Sequence, residues 1–170
     1  NNNNRINNNA VIAEVDLGED DNANLTNPKS SAFWTMDYIH IDGNWSDTLN
    51  EDWCSGDGSW GNPYVIENVT IDASSSPTGS GIFINNSKND YFIINNCTVY
   101  NADTGESDAG IKLENTNKGT LSNNNCSNNG YNGILLFNDC DDNTISGNTA
   151  NDCISRGIWL AYDCDYNVIS

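Results

Sequence analysis

At 170 residues the chain is the size of one domain and long enough to bury a continuous core. Its formal net charge of −18, from 24 acidic against 6 basic residues, repels nucleic acid and anionic lipid and argues against both as partners. No run approaches the roughly 20 apolar residues of a membrane span, which argues against membrane insertion. Asparagine makes up about a fifth of the chain, a bias toward turns that a helical bundle could not carry.

Residues 1–30 form an Asn-rich and acidic N-terminal segment. Its opening asparagines read as a tail, or as the turn half of an earlier coil, and Ala10-Val-Ile-Ala-Glu-Val-Asp as a strand covering the first coil. Residues 31–62 hold four of the five tryptophans, Trp34, Trp45, Trp53 and Trp60. They read as an N-terminal cap, because a solenoid has to close its open apolar end and bulky aromatics do so well. A sugar-stacking platform is the functional alternative for the same residues. His40, beside Tyr38 and Ile39, reads as an ordinary strand residue.

Residues 63–170 repeat. Gly81-Ile-Phe-Ile, Gly110-Ile-Lys-Leu, Gly133-Ile-Leu-Leu and Gly157-Ile-Trp-Leu align, with their glycines 29, 23 and 24 positions apart. A second strand follows each, at Phe92-Ile-Ile, Thr120-Leu-Ser, Thr144-Ile-Ser and Val168-Ile-Ser, and Tyr64-Val-Ile-Glu-Asn-Val-Thr-Ile opens the series. The apolar residues alternate at period two, so Ile82 and Ile84, Ile111 and Leu113, Ile134 and Leu136, and Ile158 and Leu160 point inward. Coils stacked ~4.8 Å apart place each aliphatic above its counterpart. The fold class that follows is all-β: a right-handed parallel β-helix solenoid with an aromatic-rich N-terminal cap. The polar run 100–109 reads as a loop bulging from one corner. Asn86, Asn115 and Asn138 share one turn, where Tyr162 breaks the series, and Asn96, Asn124 and Asn148 share another; stacked amides bond along the axis. The chain lacks an initiator Met and stops in mid-coil at Asn167-Val-Ile-Ser170, so we expect an excised piece of a longer protein. End-to-end self-association through that coil is the alternative.

Asn143-Thr-Ile-Ser-Gly-Asn-Thr-Ala, followed by Gly157-Ile-Trp-Leu, resembles the repeat of NosD-like parallel β-helix proteins. Gly56-Asp-Gly-Ser-Trp-Gly-Asn-Pro-Tyr-Val-Ile-Glu-Asn-Val-Thr-Ile-Asp resembles the opening segment of such repeats in archaeal surface proteins. The resemblance covers residues 38–170 and implies the fold. It leaves activity open, because similar repeats serve copper-site maturation factors, polysaccharide enzymes and surface proteins.

Three candidate sites follow from the register. An outward row between the inward aliphatics, Phe83, Leu135 and Trp159 with Phe137 beside them, forms an apolar wall suited to a glycan or a partner; the alternative is that loop 100–109 or the N-terminal segment covers it. Asp139 and Asp163, and Asp141 and Asp165, lie one coil apart, and the repulsion of stacked carboxylates would be relieved by calcium; solvated surface charge is the alternative. Cys140 and Cys164, also one coil apart, are a disulfide candidate, although their parallel Cβ vectors suit the bond poorly and stacked thiols are the alternative. Copper carriage would draw on cysteines with Met36 and His40 alone. Arg156 and Lys112 lie too far in register from the acidic corner to complete a lyase site, and Asp141-Asp142 lacks the His and Arg-x-Lys patterns of β-helix hydrolases. Sequons at Asn24, Asn44, Asn68, Asn85, Asn96 and Asn125 favour an extracellular setting. The expectation is therefore an extracellular or cell-surface β-helix module with a structural or binding role, its partner a polysaccharide or a surface protein. A fragment of a carbohydrate-active enzyme and a NosD-like maturation factor are the alternatives.

Overall fold

The computed structural model describes residues 33–170, so the expectations for residues 1–30 and the Asn24 sequon lie outside the described residues. Apolar–polar alternation in runs of three to six residues can bury only one face of an extended segment, and the chain meets this by winding. Strands β1 (Trp34–Met36) and β2 (Ile39–Asp42) lead into a single helical turn, α1 (Trp45–Thr48), and a short strand, β3 (Cys54–Ser55). The regular coils follow as β4 (Tyr64–Glu67), β5 (Val69–Asp72), β6 (Ile82–Asn85), β7 (Phe92–Asn95), β8 (Thr98–Tyr100), β9 (Ala109–Glu114), β10 (Gly119–Ser122), β11 (Asn132–Phe137), β12 (Thr144–Ser146), β13 (Arg156–Ala161) and β14 (Val168–Ile169). Strands from successive coils pair in parallel into three sheets: sheet A (β1-β5-β8), sheet B (β2-β6-β9-β11-β13) and sheet C (β3-β4-β7-β10-β12-β14). Among the described strands only β3 runs antiparallel, against β4.

The register is in line across coils, so like residues stack. Ile39, Ile82, Ile111, Ile134 and Ile158 form one inward column, and Ile41, Ile84, Leu113, Leu136 and Leu160 another. Ile66, Ile94, Leu121 and Ile145 line the inside of sheet C and Ile71 and Val99 the inside of sheet A, all buried. Each such side chain is worth about 1.5–3 kcal/mol of burial, which no coil could secure alone. The repeat glycines have a packing cause: a Cβ on Gly133 would stand 2.6 Å from both the Ala150 Cβ and the Gly157 carbonyl oxygen. Parallel pairing begins already at Trp34, opposite Val69, and Ile39, opposite Ile82, so the first strands of the expected cap belong to the solenoid itself. The closure is α1, whose Trp45 is 2 % exposed, stacks on Tyr64 at 4.6 Å, tilts against Phe92 at 5.4 Å and donates its indole N–H to Ser87 Oγ.

The corners account for the asparagine. Every non-glycine residue with positive φ among those described falls into a column of equivalent positions. Gly43, Asn86, Asn115, Asn138 and Tyr162 make one, Asn68, Asn96, Asn123 and Gly147 a second, Asn101, Asn128 and Asp152 a third. Lys118, Asp142 and Tyr166 form a fourth, and Asp139 and Asp163 a fifth. Left-handed backbone strains most side chains, and Asn and Asp tolerate it best. A second set of amides runs as ladders. Asn124 Oδ1 accepts the Cys97 N–H at 2.9 Å, Asn148 Oδ1 the Asn124 N–H at 2.9 Å, and their amide nitrogens donate to the carbonyls of Ile94 and Leu121. Asn143 and Asn167 do the same for Gly119 and Asn143. Asn96 is corrected in register by one: Ile94 pairs with Leu121, so Cys97 rather than Asn96 stands above Asn124, and Asn96 belongs to the left-handed column. The 101–108 loop is tied down, with Asn132 Nδ2 donating to the carbonyls of Glu106 and Asp108.

Candidate functional site

The outer face of sheet B carries the expected wall, and its aromatic faces are already in use. One outward row runs His40, Phe83, Lys112, Leu135, Trp159. The His40 ring lies parallel on Phe83 at 4.9 Å, and its Nε2 is 3.0 Å from Asn85 Oδ1. The Lys112 ammonium stands 4.5 Å from the Phe83 centroid and 5.5 Å from that of Phe137, and pairs with Glu114 at 2.8 Å. Phe137 also meets Tyr162 edge-on, and the Arg156 guanidinium covers Trp159 at 3.7 Å. Leu135 lies on this outer face yet is 0 % exposed, so the expected open stripe is interrupted at its centre. Phe83, Phe137 and Trp159 are half-buried.

The acidic corner forms in register but is engaged internally. Asp141 takes a place in an amide ladder: its N–H donates to Asn117 Oδ1, and its own Oδ1 accepts the Asp165 N–H at 2.8 Å. Asp139 pairs with Lys88 at 2.9 Å, and Asp163 is exposed in the same left-handed column as Asp139. Among the described residues no three His, Cys, Asp or Glu side chains gather into a group that could hold a metal ion, so the calcium expectation has no built site. The Cys140–Cys164 disulfide is likewise not formed, and both side chains stay thiols. Both side chains leave equivalent backbone positions side by side, and each sulfur bonds within its own coil, Cys140 to the carbonyls of Phe137 and Asn138 and Cys164 to those of Ala161 and Tyr162. Burial pushes the Cys97 thiol up to about 11 and Cys140 to about 12, and raises Cys126 further; a protonated thiol is a poor nucleophile and a poor metal ligand.

An open site stands instead outside sheet C. The tight loop 57–62 is closed by hydrogen bonds from the Asp57 N–H to the Asn62 carbonyl, from the Ser59 N–H to Asp57 Oδ1 and from the Asn62 N–H to Ser59. It is pinned to the coil by the Tyr91 N–H, which donates to the Gly58 carbonyl at 2.9 Å. At its tip Trp60 is 82 % exposed. Below lies a groove of about 180 Å³ lined by Trp60, Pro63, Tyr91, Phe92, Ile93, Lys118 and Thr120. Ile93 and Thr120 are neighbours on the outer row of sheet C, and the Lys118 ammonium lies 5.2 Å from the Tyr91 centroid. Burial raises the Tyr64 hydroxyl behind the loop, with Asp90 adding to the effect, whereas the Ser59 hydroxyl, then the Ser59 backbone and Asn62, hold the Asp57 carboxyl below its usual range.

A family model described as a right-handed β-helix region matches residues 25–170. The chain belongs to the right-handed β-helix family. No curated protein and no solved structure matches the chain. In this β-helix the sequence placed Trp60 among the cap tryptophans, but it alone of the four stands free. Trp45 is buried, and Trp34 and Trp53 pack partly buried on the core. Tyr91, Ile93, Lys118 and Thr120 were not singled out as site residues. The available signal was Ile93, an apolar residue at an outward position whose partners in the next coils are Thr120 and Thr144.

Proposed function

We propose that this β-helix is a glycan-binding module of an extracellular or cell-surface protein, the solenoid serving as a rigid frame for the groove under Trp60. The observation that carries the reading is the Trp60 indole, exposed over a groove whose floor is Ile93 and Thr120 and whose wall is Tyr91. An indole on a hydrogen-bonded loop loses little entropy when it is covered, and its electron-rich face suits the C–H groups of a pyranose ring, which present the positive side of their bonds. Thr120 on the floor offers a hydroxyl of matching kind. The surface location is supported by the net charge of −18, which favours solubility in the open, and by the asparagine sequons.

The test is binding of the full chain to a panel of neutral and acidic oligosaccharides, repeated with Trp60→Ala. Binding that weakens about tenfold or more in the variant, at unchanged melting temperature, supports the reading; one lost stacking contact of about 1.4 kcal/mol has that effect. Binding indifferent to the substitution, or no binding by the parent chain, overturns it.

A further inference from the structure

The groove contains one charged group, and its setting narrows the ligand; this inference rests on the glycan reading above. Lys88 is paired with Asp139 at 2.9 Å and Lys112 with Glu114 at 2.8 Å, and Arg156 lies on Trp159. Lys118 has no carboxylate within ion-pair reach among the described residues, although the chain holds 24 acidic residues against 6 basic ones. Its ammonium rests at the Tyr91 ring, half-buried on the groove wall. The backbone makes lysine an odd choice there. Lys118 has φ +63°, in the column whose next members are Asp142 and Tyr166. Left-handed backbone costs a residue without a short polar side chain of order 1 kcal/mol, and Asp in the following coil shows the cheaper solution. A strained, unpaired cation against an aromatic face, beside an exposed indole, is an arrangement that a bound anion completes.

We propose that the groove takes a uronic acid: the sugar ring lies on Trp60, its carboxylate meets the Lys118 ammonium, and its hydroxyls reach Thr120. At about 180 Å³ the groove is a site for a single ring rather than for a chain. The rest of the molecule sets the length. A net charge of −18 repels a polyanion, so the acidic sugar is a single or terminal residue on an otherwise neutral glycan rather than one link of a polyuronate. A carboxylate held by one ammonium in a partly dry site is a charge-assisted contact, strong enough to set preference but sensitive to salt.

The experiment compares methyl glucuronide and methyl galacturonide with the methyl glucoside and galactoside, which differ only at C6, by following the Trp60 indole resonance of the full chain. Uronides are expected to bind about tenfold more tightly. Lys118→Gln should abolish that preference, the charged and neutral sugars then binding alike, and added salt should shrink it in the parent chain. Equal affinities for charged and neutral sugars, or a preference that survives Lys118→Gln, overturn this inference and leave the glycan reading standing. A Trp60 resonance unmoved by every sugar overturns both.

Discussion

The outer face of sheet B and the groove outside sheet C use the same materials, aromatic rings beside cations, and reach opposite ends. On sheet B each ring has a partner within the coil stack: His40 on Phe83, Lys112 between Phe83 and Phe137, Arg156 on Trp159. Outside sheet C the ring at the loop tip has one face for solvent, and the cation lacks a carboxylate among the described residues. Composition does not separate a binding surface from a structural one; the count of partners already engaged does. Strand stacking on sheet B brings each outward residue within ~4.8 Å of its neighbours, so side chains there satisfy one another. Trp60 sits on a loop outside that lattice, and no stacked neighbour covers it.

The largest effect that sharpens the contrast is on stability. Leu135→Asp puts an unpaired carboxylate where nothing is exposed and should cost more than about 3 kcal/mol, whereas Thr120→Asp on the half-buried groove floor should cost about 1 kcal/mol or less; paired denaturation curves measure both. Next is binding: Trp60→Ala should weaken glycan affinity about tenfold without moving the melting temperature, and Trp159→Ala should do the reverse, losing about 1–3 kcal/mol of stability with affinity intact. A smaller effect concerns the cation on the closed face. Arg156→Ala should cost about 0.5–1 kcal/mol, the worth of an exposed cation–π contact, with no change in sugar binding by calorimetry.

The smallest is a pH effect on the groove loop. The Asp57 carboxyl is held below its usual range by Ser59 and Asn62, so its charged form favours the closed loop. That contribution is complete above the ordinary carboxylate range and fades as pH falls through the lowered value. Affinity for a neutral sugar should therefore be flat at neutral pH and decline only in acid, and Asp57→Ala should show the lower affinity throughout.

The solenoid was legible because its cause is periodic. Gly110-Ile-Lys-Leu and its three counterparts repeat the alternation that buries one face, and their glycines mark points where coils approach too closely for a Cβ. The Asn86, Asn115 and Asn138 turn was legible for the same reason, whereas Asn96 slipped by one because Ile93 and Ile94 are both aliphatic and either could have been the inward residue. What failed was whatever depended on what lies over or beside a strand. Leu135 alternates outward but is buried. Asp141 falls in a metal-like row but fills the place of a ladder asparagine, since a carboxylate oxygen accepts a backbone N–H as an amide oxygen does. Cys140 and Cys164 are adjacent in register, yet adjacency of parallel side chains is not disulfide geometry. The groove joins Trp60 to Lys118 across two coils, and no period in the sequence links them.

Among the described tryptophans Trp60 is the open one, and the glycan proposal has a sugar cover it. Hydroxyl-radical footprinting of the full chain, read by mass spectrometry with and without an oligosaccharide that binds, tests this directly. Trp60 is expected to be the tryptophan oxidised fastest in the free protein and to be protected by the ligand, while Trp45 and Trp159 change little. Faster oxidation of Trp159 than of Trp60, or protection by the ligand at Trp159 while Trp60 stays reactive, would contradict it.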